Sequence, residues 1–554
     1  MKKNKMCNLA IAFVSILAMS LLFSCQKSLS PTIGGIAETA TTTTDGYKSE
    51  YKYNVNIVYL VPSDRDTVAN FKNRLSELFL WAQDWTKKEM ARHGYPDQTF
   101  GLLVNDSSQV KIHVLRSQYK HSELPYDIEK GTGASRAEQE VNKYLNENSR
   151  RQSDHTIILY PGLVASDGYT AMAGTPFYGR GRICHALDYG AMSLANVSSS
   201  NGDIRREVRK WFGGMIHELF HGLNLPHNSE TQQEYATKKI AVMRDHYNYG
   251  PAQGTESILT ATDAAIFSVA QIFSKTEGQF YGRVNTTVEL EQLSYDAATK
   301  SILLKGEFNT DNKIKKIVAY IDPKTEKDPP LSPNTNYNAV TFITDPINNT
   351  FSFSIPVDAL KEFGTAITNH LYVGLVHENG TFISGQIFYP FTFNANKEPL
   401  FILNATLGSN ILLDKTNWKI ESFSSEHGGW NNYVRYTIDG DLKTAWYPSA
   451  ETLPHQIVIN LGADNNFNGF VWTNMQTGSF LRPAKEVEVL ISNDPALGYT
   501  SLGTFTLVDT RLKQHILLKE EGIKAHYIKF IVKRTFEGNS YLYVSEIDLF
   551  SKMP

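Results

Sequence analysis

The stretch "MIHELFHGLNLPHN", Met215 to Asn228, constrains this chain more than any other part of it. Apolar residues recur at Ile204, Val208, Trp211, Phe212, Met215, Ile216, Leu219, Phe220 and Leu223, a helical period with one core-facing stripe. The other face carries Gly213, Gly214, His217, His221 and Asn224. Adjacent glycines inside a helix cost about 1 kcal/mol each against alanine, so they imply close approach by another backbone. His217 and His221, four apart, share a face. His227 could not join them on a continuing helix, because it would lie about 15 Å along the axis from His217. Asn224 tolerates the left-handed conformation that ends helices, and Pro226 follows two residues later. The chain is therefore expected to turn at Asn224 and bring His227 back under the other two.

The chain has 15 histidines in 554 residues, and chance explains three of them here poorly. H-E-x-x-H arises by chance in about one such chain in fifty, and a third histidine at fixed spacing lowers that by about another factor of forty. Three neutral imidazoles leave the fourth position of a tetrahedral zinc open to water, and Glu218 stands beside it as a general base. "HELFHGLNLPH" resembles the metzincin zinc signature H-E-x-x-H-x-x-G-x-x-H, with Asn224 at the usual glycine position. Asn is the least damaging replacement where positive φ is needed. The resemblance implies a zinc endopeptidase with ligands His217, His221 and His227 and a methionine turn beneath the metal. "KKIAVMRDHYNYG" offers Met243 for that turn, though Met243 could equally be core filler, and "LTATDAAIFSVAQIF" reads as the closing helix. Tyr247, four past Met243, is a candidate oxyanion donor, whereas some families place a tyrosine two beyond the methionine. Glu230 and Glu234 are alternative third ligands, but their stretch "SETQQE" reads as solvated surface.

The opening "MKKNKMCNLAIAFVSILAMSLLFSC" is a lysine-rich start followed by an apolar run, a secretory signal over 1–24. It is too short, and too closely followed by polar sequence, for a membrane span. "LLFSC" resembles the bacterial lipobox, which implies lipidation at Cys25; the alternative is an ordinary signal with an incidental cysteine. A Ser/Thr-rich tether, 25–50, follows. Localisation is then the bacterial cell envelope, lipid-anchored to the outer membrane on either face. Of three cysteines only Cys184 lies beyond the export segment, so neither a disulfide framework nor a cysteine metal site is available. A net charge of −3 without a basic block argues against nucleic acid as partner.

The fold class expected is multidomain. Residues 51–283 alternate strands ("YNVNIVYLV", "VKIHVLR", "HTIILYPG") with helices over Asp66 to Arg92 and Ala134 to Asn148, an α/β metzincin-like layer. In metzincins an exposed edge strand just before the zinc helix pairs with substrate; Tyr169, Thr170, Ala171 and Met172 are the candidates. From 284 to 396 short strands with turn signals predict an immunoglobulin-like antiparallel sandwich, read as a spacer or packing domain.

Residues 397–554 hold "IDGDLKTAW", "LPHQIVINLG", "KEVEVLISND" and "HYIKFIVKRTFEGNSYLYVSEIDLF", which resemble the discoidin, or factor 5/8 type C, family in order. The resemblance implies an all-β jelly-roll sandwich that binds carbohydrate. It also implies a structural calcium held by Asp439 and Thr444 side chains, the Asp441 carbonyl and the Glu546 carboxylate, an oxygen-only set that suits calcium. The alternative is a tight turn held by Asp side chains alone. Glycan candidates on variable loops are Trp430, Tyr433, Phe480, Arg482 and Tyr541.

The sequence thus predicts an exported zinc endopeptidase acting on proteins or glycoproteins, with a glycan-binding module. One rival is a non-catalytic glycan-binding surface lipoprotein with a structural zinc, which would not need Glu218. A glycosidase is a second rival, but no carboxylate pair supports it.

Overall fold

A computed structural model describes residues 41–552 except 129, 245–254, 325–335, 365–366, 385–387, 402–409, 430–431, 450–451, 477–481, 512 and 519–521. Cys25 and the export segment lie outside the described residues. The first unit is built on β1 (Asn56–Val61), α1 (Phe71–Arg92), β2 (Ile112–Arg116), α2 (Thr132–Asn146), β3 (Thr156–Pro161), β4 (Gly179–Arg180), β5 (Ile183–Asp188), α3 (Gly202–Gly222) and α4 (Ala261–Phe267). The sheet order is β2-β1-β3-β5-β4. Four strands run parallel and β4 is antiparallel at the edge. "NIVYLV" and "TIILYP" are buried at every position, as central parallel strands covered on both faces must be.

The candidate edge strand lies elsewhere. Ala171–Met172 pairs with Leu163–Val164 in a separate two-stranded hairpin, and Tyr169 and Thr170 sit in its turn, their N–H groups donating to Asp167. The edge of the main sheet is β4, which two residues, one of them glycine, made too short to read from sequence.

Helix α3 starts where Asn201 accepts hydrogen bonds from the N–H groups of Asp203 and Ile204. It ends with Asn224 at φ +74°, the Asn224 N–H reaching the His221 carbonyl at 2.9 Å and the Leu225 N–H the Phe220 carbonyl at 3.0 Å. The left-handed helix ending expected from the sequence is thus present, closed by two hydrogen bonds. The apolar stripe packs into a core with α1 and the sheet. Strand β4 comes close against α3: a Cβ on Gly179 would lie 2.3 Å from His221 Cβ.

Residues 286–400 form an antiparallel sandwich of a three-stranded and a six-stranded sheet. It is more than a spacer. Val318, Tyr320, Ala339, Tyr372 and Val376 belong to the same apolar core as α3. The Ser229 N–H donates to the Ala339 carbonyl at 2.7 Å. The last unit, from Asn410, is a second sandwich of four- and five-stranded sheets around Trp418, Trp446 and Trp472. No described helix is long and apolar enough to cross a membrane.

Candidate active site

The turn at Asn224 brings His227 Nε2 to 3.2 Å from His217 Nε2 and 2.9 Å from His221 Nε2. His217 donates Nδ1–H to the Val242 carbonyl and His221 to the Leu225 carbonyl, each at 2.8 Å. Those bonds fix the tautomer and keep the proton away from Nε2, as a metal-ligating imidazole requires. Among the described residues this is the one group of three whose potential ligand atoms all lie within 4.8 Å of one another. The donor set fits zinc: three imidazoles with a fourth side open to the cleft. Val242, whose carbonyl holds the first histidine, is followed by the fully buried Met243. Tyr247 lies outside the described residues.

Glu218 is nearly buried, and burial pushes its carboxyl up to about 8 while a hydrogen bond from the Gly179 N–H acts the other way. Neither alternative third ligand is available. Glu230 is fully buried rather than solvated; it accepts from the Ala241 N–H at 2.9 Å, pairs with Lys361 of the sandwich at 2.7 Å and also pairs with Arg244. Glu234 accepts from Thr231 and completes a helix cap.

His217, Glu218, His221 and His227 line a cleft of about 980 Å³. Its walls include Phe177, Gly179, Arg180, Arg182, Lys210 and Trp211 of the first unit and Tyr337, Thr381 and Phe382 of the sandwich. Of the expected edge strand Tyr169–Met172, no residue lines it. The Tyr337 ring stacks on His227, centroids 3.7 Å apart at 29°. Sequence reasoning missed Tyr337, Phe382 and Lys361, because nothing local marks a residue that reaches a site from another unit.

In the last unit, the oxygens implied for calcium are already engaged. Thr444 Oγ1 donates to Asp439 at 2.9 Å and is 2.8 Å from the Asp441 carbonyl, and the Gly440 N–H donates to Glu546 at 2.8 Å. The Lys415 ammonium pairs with Glu546 and, at 2.6 Å, with Asp548. With an ammonium on the carboxylate meant for the ion, the set does not fit calcium. Arg482 lies over Tyr541 at 4.6 Å and Tyr543 at 5.5 Å, and Tyr447 stacks on Tyr543 at 4.8 Å. Tyr433 packs instead with Arg435, at 4.1 Å, and Tyr436. Trp430 and Phe480 lie outside the described residues. Tyr447 and Tyr543 were not singled out from sequence, although Tyr543 shares a strand-like spacing of two with Tyr541.

Fold and site define a mixed-sheet unit with a three-histidine centre, closed by one β-sandwich and followed by another. Residues 419–547 match the F5/8 type C domain. The crystal structure of wild-type OgpA from Akkermansia muciniphila is similar at 30% identity and TM-score 0.55, covering 63% of this chain and 96% of that one. A catalytically inactive OgpA from the same organism, in complex with an O-glycopeptide (glycodrosocin) substrate, matches at 30% identity and TM-score 0.56, with coverage of 63% and 96%. A search among curated proteins gives no match. The chain belongs to the family of OgpA.

Proposed function

We propose that the chain is an exported, lipid-anchored zinc metalloendopeptidase of metzincin type that cuts O-glycosylated polypeptides. The observation that carries this reading is the gathering of three histidine nitrogens beside Glu218 in an open cleft. The O-glycopeptide complex of OgpA supports the substrate class. Zinc held by His217, His221 and His227 would polarise a peptide carbonyl and acidify water. Glu218 takes the proton from the attacking water and passes it to the leaving amine. The Gly179 N–H holds that carboxylate in place. An extended substrate pairs with the outer edge of β4, at the end of the sheet order.

The F5/8 type C domain binds glycan in this reading, with Arg482 and the Tyr447, Tyr541 and Tyr543 rings offering a guanidinium fork and flat faces to a sugar. Cys25 tethers the protein to the outer membrane.

The test is digestion of one peptide with and without a single O-glycan, in zinc and after chelation. The glycopeptide is expected to be cut, chelation to stop it, and the bare peptide to be spared. Failure to cut either, or cutting that survives chelation, contradicts the reading. Glycan binding without cleavage would make the chain a surface lectin with a structural metal.

A further inference from the structure

We infer that the cleft receives a substrate carrying an anionic group, a carboxylate or a sulfate, near the scissile bond. This rests on the peptidase reading above. Lys210 precedes His217 by two helical turns on α3, so it shares the face of His217 and His221 about 10 Å along the axis. It lines the cleft, half-buried, with its ammonium 4.8 Å from the Trp211 ring centroid. Among the described residues Lys210 has no ion-pair partner. Arg180 and Arg182 line the same cleft from β4 and the turn after it. Arg180 bonds Ser135 at 2.9 Å and Arg182 lies 4.5 Å over Tyr281. Their carboxylate partners, Glu138 and Asp154, are each a distant 3.9 Å away. Among the described lining residues Glu218 is the one acid, and it serves the reaction. Three cations against one buried acid make a positive cleft, and low-dielectric walls concentrate that field on an incoming anion.

The anion can sit on the glycan or on the peptide, and the test separates the two. One O-glycopeptide sequence is prepared with a neutral glycan, a sialylated glycan, a sulfated glycan, and a neutral glycan beside an added aspartate. The readout is kcat/KM for each acidic form relative to the neutral form. At least one acidic form is expected to be favoured about tenfold, as one charge-assisted hydrogen bond allows, and Lys210→Gln is expected to bring that ratio toward one. The favoured arm shows where the anion sits. Ratios at or below one in the native protein, or ratios that Lys210→Gln leaves unchanged, overturn the inference. If nothing is cut, the peptidase reading fails; the Kd ratios of the same four ligands for Glu218→Ala then decide the charge preference by themselves.

Independently, the structure assigns to Lys415 the role that a calcium ion would have in the last unit. Its side chain is 17% exposed and pairs with Glu546 and Asp548, which are 3% and 9% exposed. Burial pulls the ammonium's pKa down, but the two carboxylates more than offset this and hold it above the ordinary lysine value. The covalent cation joins the segment before Trp418 to the last strand and engages the Glu546 carboxylate implied for the ion. The test is thermal unfolding of the full, zinc-loaded chain with and without millimolar calcium. The native protein is expected to show no calcium-dependent shift. Lys415→Ala is expected to unfold earlier and to recover part of the loss with calcium, and Lys415→Arg to behave as native. A calcium-dependent rise in the native midpoint overturns the assignment, since a ligand bound to the folded state must raise it.

Discussion

At the end of α3, three imidazoles turn their Nε2 atoms to one point, with two of the Nδ1 protons spent on the carbonyls of Val242 and Leu225. Around Asp439, each carboxylate and carbonyl oxygen expected to hold an ion instead already accepts from an N–H, an O–H or an ammonium. At both places the sequence resembles a motif of a metal-binding family. The difference lies in what the donor atoms are doing. A metal site needs lone pairs kept together at a cost that only a cation offsets, whereas a satisfied polar cluster has no such need.

The sharpest break of this contrast is at the turn that makes the first site. Asn224→Val forces a β-branched residue into positive φ, a strained placement, and is expected to displace His227 and weaken zinc binding about tenfold to a hundredfold. Asn224→Gly should keep native affinity. Zinc affinity by competition with a chromophoric chelator checks both, and equal affinities for Val and Gly would mean that the turn does not position the ligand.

The sandwich's share in the site is tested next. Lys361→Met removes one of two cations from the fully buried Glu230 and is expected to cost about 3 kcal/mol, as for a broken buried pair. Denaturant unfolding measures it, and loss below 0.5 kcal/mol, about the noise of a surface substitution, would show that the Glu230–Lys361 pair does not hold the units together. A smaller effect is expected at Tyr337. Its stack on His227 is worth about 1 kcal/mol, so Tyr337→Ala should speed zinc release about fivefold while Tyr337→Phe leaves it unchanged. Equal release from all three proteins would reduce Tyr337 to a bystander.

What the sequence made legible follows chain distance. The stripe from Ile204 to Leu223, the stop at Asn224 and the return of His227 depend on neighbours within a few turns, and all were readable. The central strands were readable because "NIVYLV" and "TIILYP" are apolar throughout. Edge strand β4 was not, since two residues carry no periodicity. Glu230 looked solvated because its sequence neighbours are polar; it is buried, and one of its partners, Lys361, lies more than a hundred residues on. Tyr337 and Phe382 were hidden for the same reason, as was Lys415, whose lysine carries no mark of the two carboxylates that surround it.

Metal content tests the central contrast most directly. Elemental analysis of the full chain, purified with zinc and calcium both present and then dialysed, should give one zinc and no calcium per chain. His227→Ala should lose the zinc, and Glu218→Ala should keep it while peptidase activity disappears. Stoichiometric calcium in the native protein, or zinc retained at native affinity in His227→Ala, would contradict the account.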